Sequence, residues 1–462
     1  MRKCPPRKLR ASVILLNCLN FPVADASARH RAGAWLMLAT AAVAAAGLFA
    51  ILIALARVPA LGTLFPGPQF YRVALTLHVN LSQWVWFMAF AGMLWSFASR
   101  RASIAADWLA FALACGGALA MSVSPLFGPA LPVMSNYMPV LGGPLFMAGL
   151  LAYGLAVLIK AVLVLYEGLP LAEPMERATR IGLAMSAVSV LAALAILAWS
   201  HLSAAGALSG DAYFETLFWG AGHVWQFSLT TLMTLCWIGL VATQPNVPPS
   251  PRCLGALYGL GAAPAVAALA IPLFVSPGER TYFVIFTELM RWTSWEIPLA
   301  VGLLVVARAR RGGAALPAGV GLSLLLFVCG LLLGAAIDAQ TTLVTAHYHG
   351  TVGSVTLTFM VFTYRVLPLL GFGSPRPQAV RRQLALYGWG ILLMMAGLAG
   401  AGAMGAPRKL PGNLGFEFGI ETVSRLLLGV GGTLATVGIL MFSGLIALRL
   451  AGVRGVPSPC LP

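Results

Sequence analysis

Stretches of about twenty consecutive apolar residues recur along the whole chain, and that is the length an α-helix needs to cross a bilayer. They fall near 33–56, 74–97, 104–126, 140–165, 179–201, 213–243, 254–276, 281–307, 316–337, 342–370, 384–404 and 418–449. Lipid offers no hydrogen-bond partners, so a segment of this length must satisfy its own backbone, and a helix does so. The expected fold is all-α: a polytopic membrane protein with twelve transmembrane helices in one bundle over 33–449. Tails of 1–32 and 450–462 flank it. Composition agrees, since the chain is 60% hydrophobic and 9% charged, against about 45–50% and about 25% in soluble domains. No internal repeat or low-complexity linker divides it.

The formal net charge of +16 does not point to nucleic acid, because the basic residues sit in short loops between apolar segments. Alternate loops carry them. One side holds the N-terminal tail, Arg100-Arg101, Arg177 with Arg180, Arg252, Arg308, Arg310, Arg311, Arg376, Arg381, Arg382 and the C-terminal end. The other side holds few, namely Arg57, Arg72, Arg280, Arg408 and Lys409. Cytoplasmic loops are the Lys/Arg-rich ones, so twelve spans with both termini cytoplasmic fit the asymmetry. The expected location is a bacterial inner membrane. The opening MRKCPPRKLRASVILLNCLNFPVADASA resembles a secretory signal. Asn17, Asn20 and Pro22 interrupt its apolar run, however, and cleavage would leave the mature start outside, against the loop charges. A cytoplasmic tail is the expectation. The seven cysteines form no C-x-x-C and no C-x-x-C-H, so neither a disulfide framework nor covalent c-type haem attachment is supported.

Histidine is scarce, six in 462 residues, and two lie two positions apart in Ala346-His347-Tyr348-His349. At about 100° per residue, positions i and i+2 point about 200° apart. One helix thereby offers an imidazole to each of two opposite neighbours, the arrangement that two haems flanking one helix need. A zinc site wants its ligands on one face. With the orientation above, His78 lies about one turn in from the outer surface, His223 about three, and His347 and His349 one to two. Four histidines on three spans thus share the outer half of the membrane. His30 in the tail and His201 at the outer end of the fifth span read as solvated or interfacial.

These residues resemble subunit I of the haem-copper oxidase superfamily, the terminal oxidases and bacterial nitric oxide reductases. Asp338-Ala-Gln-Thr-Thr-Leu-Val-Thr-Ala-His347-Tyr-His349 looks like that family's tenth helix, Thr76-Leu-His78-Val-Asn-Leu like its second, and Leu217-Phe-Trp-Gly-Ala-Gly-His223 like its sixth. Ala406-Pro-Arg408-Lys409 resembles the outer-loop element that pairs with haem propionates. The resemblance covers roughly 33–449 in the expected order. It implies a low-spin haem held by His78 and His349, a high-spin haem on His347, and copper or non-haem iron at His223. It implies Arg408 and Lys409 at the propionates, which Arg can bind bidentately. Low-spin iron takes two axial imidazoles, while one imidazole leaves a face open.

The chain also departs from the pattern. Where the family's seventh helix carries a His-His pair for copper, this one reads Ala262-Ala-Pro-Ala-Val-Ala-Ala-Leu-Ala-Ile-Pro-Leu-Phe274. Val224-Trp225 replaces the usual Pro-Glu, and Phe227 stands where many oxygen-reducing members have tyrosine. In the eighth span Glu288-Leu-Met-Arg291 reads either as an i,i+3 ion pair or as a proton carrier or extra metal ligand near His223. Charges at membrane depth are usually paired or functional. Asp107, Thr287 and Thr293 read either as part of a proton path or as bonds to neighbouring helices.

Three functions follow as expectations. The first is a catalytic oxidoreductase subunit in which electrons pass from the His78–His349 haem to the His347 haem, where oxygen or nitric oxide is reduced, with His347, His223 and Glu288 at the reaction site. Its partners would be an electron-donating subunit, cytochrome c or quinol, and membrane lipid, with no nucleic acid. The second is a diverged dihaem membrane cytochrome for electron transfer, gas sensing or an accessory role, without bimetallic catalysis. The third is a transporter, which would be colourless and whose folds often betray repeats.

Overall fold

The computed structural model describes residues 26–55, 67–98, 104–128, 131–166, 174–242, 244, 247–408 and 420–452. Among these the regular structure is helical apart from one hairpin of two-residue strands. The helices are α1 (Ala26–Leu55), α2 (Gly67–Val79), α3 (Trp86–Phe97), α4 (Ile104–Val123), α5 (Pro144–Tyr166), α6 (Pro174–Ala204) and α7 (Gly210–Val241). They continue as α8 (Pro251–Ala267), α9 (Arg280–Thr293), α10 (Glu296–Arg311), α11 (Ala318–Ala335), α12 (Thr342–Val366), α13 (Pro377–Ala403) and α14 (Ile420–Leu450). The strands β1 (Pro132–Val133) and β2 (Val140–Leu141) pair antiparallel, Pro132 opposite Leu141.

Eleven helical stretches among the described residues are long and apolar enough to cross a membrane; the molecule is a multi-pass membrane protein. Two of the eleven contain a break. Between α2 and α3 the backbone winds as a π-helix over Asn80–Val85, where the Asn80 amide donates to the Thr76 carbonyl at 2.9 Å and competes for a helical acceptor. Between α9 and α10 the helix stops at Ser294-Trp295. Pro298 has no N–H to give the Ser294 carbonyl and crowds it. The remaining expected span corresponds to α12. It is 25 residues long, about 37 Å at 1.5 Å per residue against a hydrocarbon core of about 30 Å. Its length suffices, but His347, His349 and its threonines make it less apolar than the other eleven.

The contacts divide the described residues into two compact units, those within 26–39 and 82–315, and those within 40–81 and 316–452. In both, helices approach where side chains are absent, as expected when lipid gives no hydrophobic drive to helix pairing. In the first unit a Cβ at Gly117 would lie 2.6 Å from the Gly149 carbonyl. In the second, a Cβ on Gly350 would lie 2.6 Å from the Gly330 Cα, and one on Gly431 2.3 Å from the Met394 nitrogen. These gaps set α4 on α5, α11 on α12 and α13 on α14 at backbone contact.

Candidate functional site

In the second unit three histidines share one hydrogen-bonding habit. His78, in the last turn of α2, bonds through Nδ1 to the Ala46 carbonyl of α1 at 2.9 Å. His347 bonds through Nδ1 to the Gly330 carbonyl of α11 at 2.8 Å. His349 bonds through Nδ1 to Thr345 of its own helix at 2.8 Å. A carbonyl only accepts, so Nδ1 carries the proton in each ring and Nε2 keeps its lone pair. That tautomer is the one a metal-ligating imidazole needs, held by an outer-shell acceptor.

The two histidines of α12 face different neighbours. His347 packs on α11, where a Cβ at Gly334 would lie 2.5 Å from its Nδ1. The Tyr348 ring lies 4.8 Å from the His349 ring. His347 thus contacts α11, while the hydrogen bond of His349 stays on α12. The loop after α13 is tied to the start of α12, since the Thr342 N–H donates to the Ala406 carbonyl at 2.8 Å and Thr341 bridges Pro407. This sets Arg408 beside the entry of the histidine-bearing helix. Lys409 lies outside the described residues.

In the first unit His223 is buried on α7, and its Nδ1 bonds to the Trp219 carbonyl at 2.7 Å. It has the same tautomer as the other three, but its surroundings are aromatic. The Tyr137 ring lies 4.8 Å away and the Trp219 ring 4.9 Å. Tyr137 comes from the β1–β2 hairpin, whose second strand falls at the start of the expected fourth span. Glu215 anchors it, accepting the Asn136 N–H at 2.7 Å and the Asn136 side-chain amide. Gly222 makes room, because a Cβ there would lie 2.3 Å from the Tyr137 ring. Gln226 donates to the Tyr137 hydroxyl at 3.2 Å, and that hydroxyl lies 3.7 Å from the Met290 sulfur. Phe227 is buried one turn further along. Tyr282 fixes α9 against α7, donating to the Thr216 carbonyl at 2.8 Å and accepting from the Gly220 N–H at 3.0 Å.

Glu288 holds Arg291 at 2.9 Å and accepts from the Trp292 indole at 2.8 Å, with side chains about half exposed. Its hydrogen bonds stay on its own helix, the ion-pair reading of the two held open above. Among the described residues no group of three or more His, Cys, Asp or Glu comes together. His223 thus supplies one imidazole among aromatic rings, and these donors do not make up a copper or non-haem-iron site. The histidines of the second unit do fit haem iron, by donor type and by tautomer.

Asp107 centres a buried charged cluster that joins neighbouring helices, one of the two readings held open above. Asp107 on α4 lies 2.8 Å from the Arg31 guanidinium of α1 and 2.5 Å from the Lys160 ammonium of α5, with every side chain at 1% exposure. Arg31 had been assigned to the tail, but α1 starts at Ala26 and carries it inside. Lys160 was legible as the lone charge in the apolar run Leu151–Tyr166, and such residues are rare enough to mark paired or functional positions. His201, expected at an interface, is exposed and bonds to the Tyr213 hydroxyl at 2.7 Å.

No protein-family model matches the chain. It is similar to an uncharacterized protein of Rickettsia prowazekii (strain Madrid E), 23% identical over 89% of this chain and 94% of that one. It is also similar to an uncharacterized protein of Aquifex aeolicus (strain VF5), 28% identical over 73% of this chain and 85% of that one.

Proposed function

We propose that this chain is a haem-carrying membrane oxidoreductase subunit resembling subunit I of the haem-copper oxidases. It sits in a bacterial inner membrane with both termini cytoplasmic. One observation carries the reading: His78, His347 and His349, in one unit, each donate Nδ1–H to a backbone carbonyl and keep Nε2 for a metal. His223 shares that tautomer through its own helix; what sets the three apart is that they lie in one unit and that His78 and His347 bond to carbonyls of neighbouring helices. His201, outside the set, bonds instead to a tyrosine hydroxyl.

In this reading His78 and His349 would hold a low-spin haem and His347 a high-spin one. Arg408 and Lys409 neutralise propionates. The haems supply one-electron transfer and an open coordination position for oxygen or nitric oxide. The chain fixes imidazole orientation through Ala46, Gly330 and Thr345, and brings α11 close behind His347 by keeping Gly330 and Gly334 bare. Electrons come from a partner subunit, cytochrome c or quinol.

A second reading is a diverged dihaem cytochrome, in electron transfer, gas sensing or an accessory role. The aromatic packing of His223 by Tyr137 and Trp219 favours it. Both readings are tested on the purified full chain by haem, copper and iron content, with reduced and carbon-monoxide-reduced spectra. Two haems, one binding carbon monoxide, together with turnover of oxygen or nitric oxide, support the oxidoreductase. Two haems without turnover support the cytochrome. Folded protein that takes up no haem refutes both.

A further inference from the structure

The broken span of the first unit opens a small cavity. Thr230, Thr231 and Thr234 of α7 line it, facing Thr293 and Ser294 at the end of α9 and Pro298 of α10. Its free space suits about one water-sized species. Each threonine has already committed its only hydroxyl proton to a backbone carbonyl of its own helix. Thr230 shares its proton between Gln226 and Phe227 at 3.2 Å, and Thr231 donates to Phe227 at 2.7 Å. Thr234 donates to Thr231 at 2.8 Å and Thr293 to Leu289 at 2.5 Å. A hydroxyl that has donated has only lone pairs left to offer. Ser294 also lines the cavity, and Pro298, four residues on, deprives its carbonyl of the helical partner. The lining therefore presents hydroxyl oxygens as acceptors from α7 and from the end of α9, beside an apolar wall of Phe227, Gly261 and Ile297.

Such a lining suits a positive occupant. Oxygen donors select hard cations, and protein sites for divalent calcium or magnesium draw on carboxylates. No carboxylate lines this cavity, which leaves a single charge. Irregular backbone at membrane depth is tolerated where it is buried or lines a hydrated cavity, and the freed carbonyl end of a half-helix attracts cations.

We propose that the α9–α10 break, with Thr230, Thr231 and Thr234, forms a binding site for one small monovalent cation of sodium size. The site is independent of the haem assignment, because none of its residues is a haem-ligand candidate.

The test is equilibrium binding of radioactive sodium to the full chain, purified in choline chloride, with potassium as competitor and haem content and helical circular dichroism recorded on the same samples. The expected result is saturable uptake approaching one ion per chain, poorly displaced by potassium. In T231V/T234V affinity should fall by about tenfold or more, the equivalent of about 1.4 kcal/mol, with helical content unchanged. S294A, whose carbonyl remains, should fall less. Should T231V/T234V fail to fold, T293V takes its place. No saturable sodium uptake by folded wild-type chain would overturn the proposal and leave the cavity to water. Uptake unchanged in folded T231V/T234V would overturn it as well.

Discussion

Replacing Asp107 by asparagine gives the sharpest energetic test, because the cluster it centres is wholly inside the protein. Its carboxylate sits 2.8 Å from Arg31 and 2.5 Å from Lys160, all at 1% exposure. At an effective dielectric of about 20, each contact is worth roughly 6 kcal/mol before desolvation is subtracted. Desolvation cancels much of that, so the net worth of the intact cluster is small. Removing the anion alone is different. Both cations stay buried and lose their shared partner, although Arg31 keeps its 2.7 Å bond to Ser27. The expected loss for D107N is about 3–5 kcal/mol, about a fifth or more of the ~5–15 kcal/mol that holds a typical domain. The triple variant R31M/D107L/K160M replaces the whole cluster by apolar side chains. It should fall within about 1 kcal/mol of wild type, or exceed it in stability. The assay is reversible unfolding in mixed micelles, with D107N, K160M and the triple variant run together. A D107N loss under about 1 kcal/mol, or a triple variant less stable than D107N, would refute the reasoning.

Other outcomes follow from particular contacts. G334A puts a Cβ 2.5 Å from His347 Nδ1; it should abolish or shift the carbon-monoxide-binding spectrum while leaving the low-spin bands, as read by difference spectroscopy. H349A should remove the low-spin bands but leave helical circular dichroism unchanged, which separates a ligand from a packing residue. G222A drives a Cβ to 2.3 Å from Tyr137 and should cost about 1–3 kcal/mol by overpacking, a cost that the double variant G222A/Y137A should largely relieve in the same unfolding assay. E288Q breaks only a half-exposed pair and should change stability by no more than about 1 kcal/mol; a large drop in turnover with stability kept would instead show that Glu288 acts in the reaction.

Much of the architecture was legible in order and length. Each apolar window contains a helix, because crossing a membrane is a local requirement on about twenty residues. The separation of His347 from His349 was legible for the same reason, being a property of one helix's pitch. Boundaries and breaks were less so. That Arg31 lies on α1 and meets Asp107 is a contact between distant residues, whereas the stop at Ser294-Trp295 had its signal in Pro298, four residues beyond Ser294.

The surroundings of the candidate ligands were not legible, because they arise from residues far apart in the chain. That His78 bonds to Ala46, 32 positions away, and His347 to Gly330, 17 away, depends on how neighbouring helices rotate and approach. The same holds for Tyr137 over His223, which needed the hairpin between α4 and α5, the Glu215 anchor and the bare Gly222. Asp107 and Lys160, 53 residues apart, look in the sequence like isolated charges in apolar runs. By itself the sequence determined that this chain is a multi-pass helical membrane protein, and where along its helices the histidines stand, since hydrophobicity and helical period are written residue by residue. Only the tertiary structure decided which nitrogen of each imidazole is left free, which aromatic rings enclose His223, and that three buried charges close on one another, since each depends on contacts between helices that no local pattern encodes.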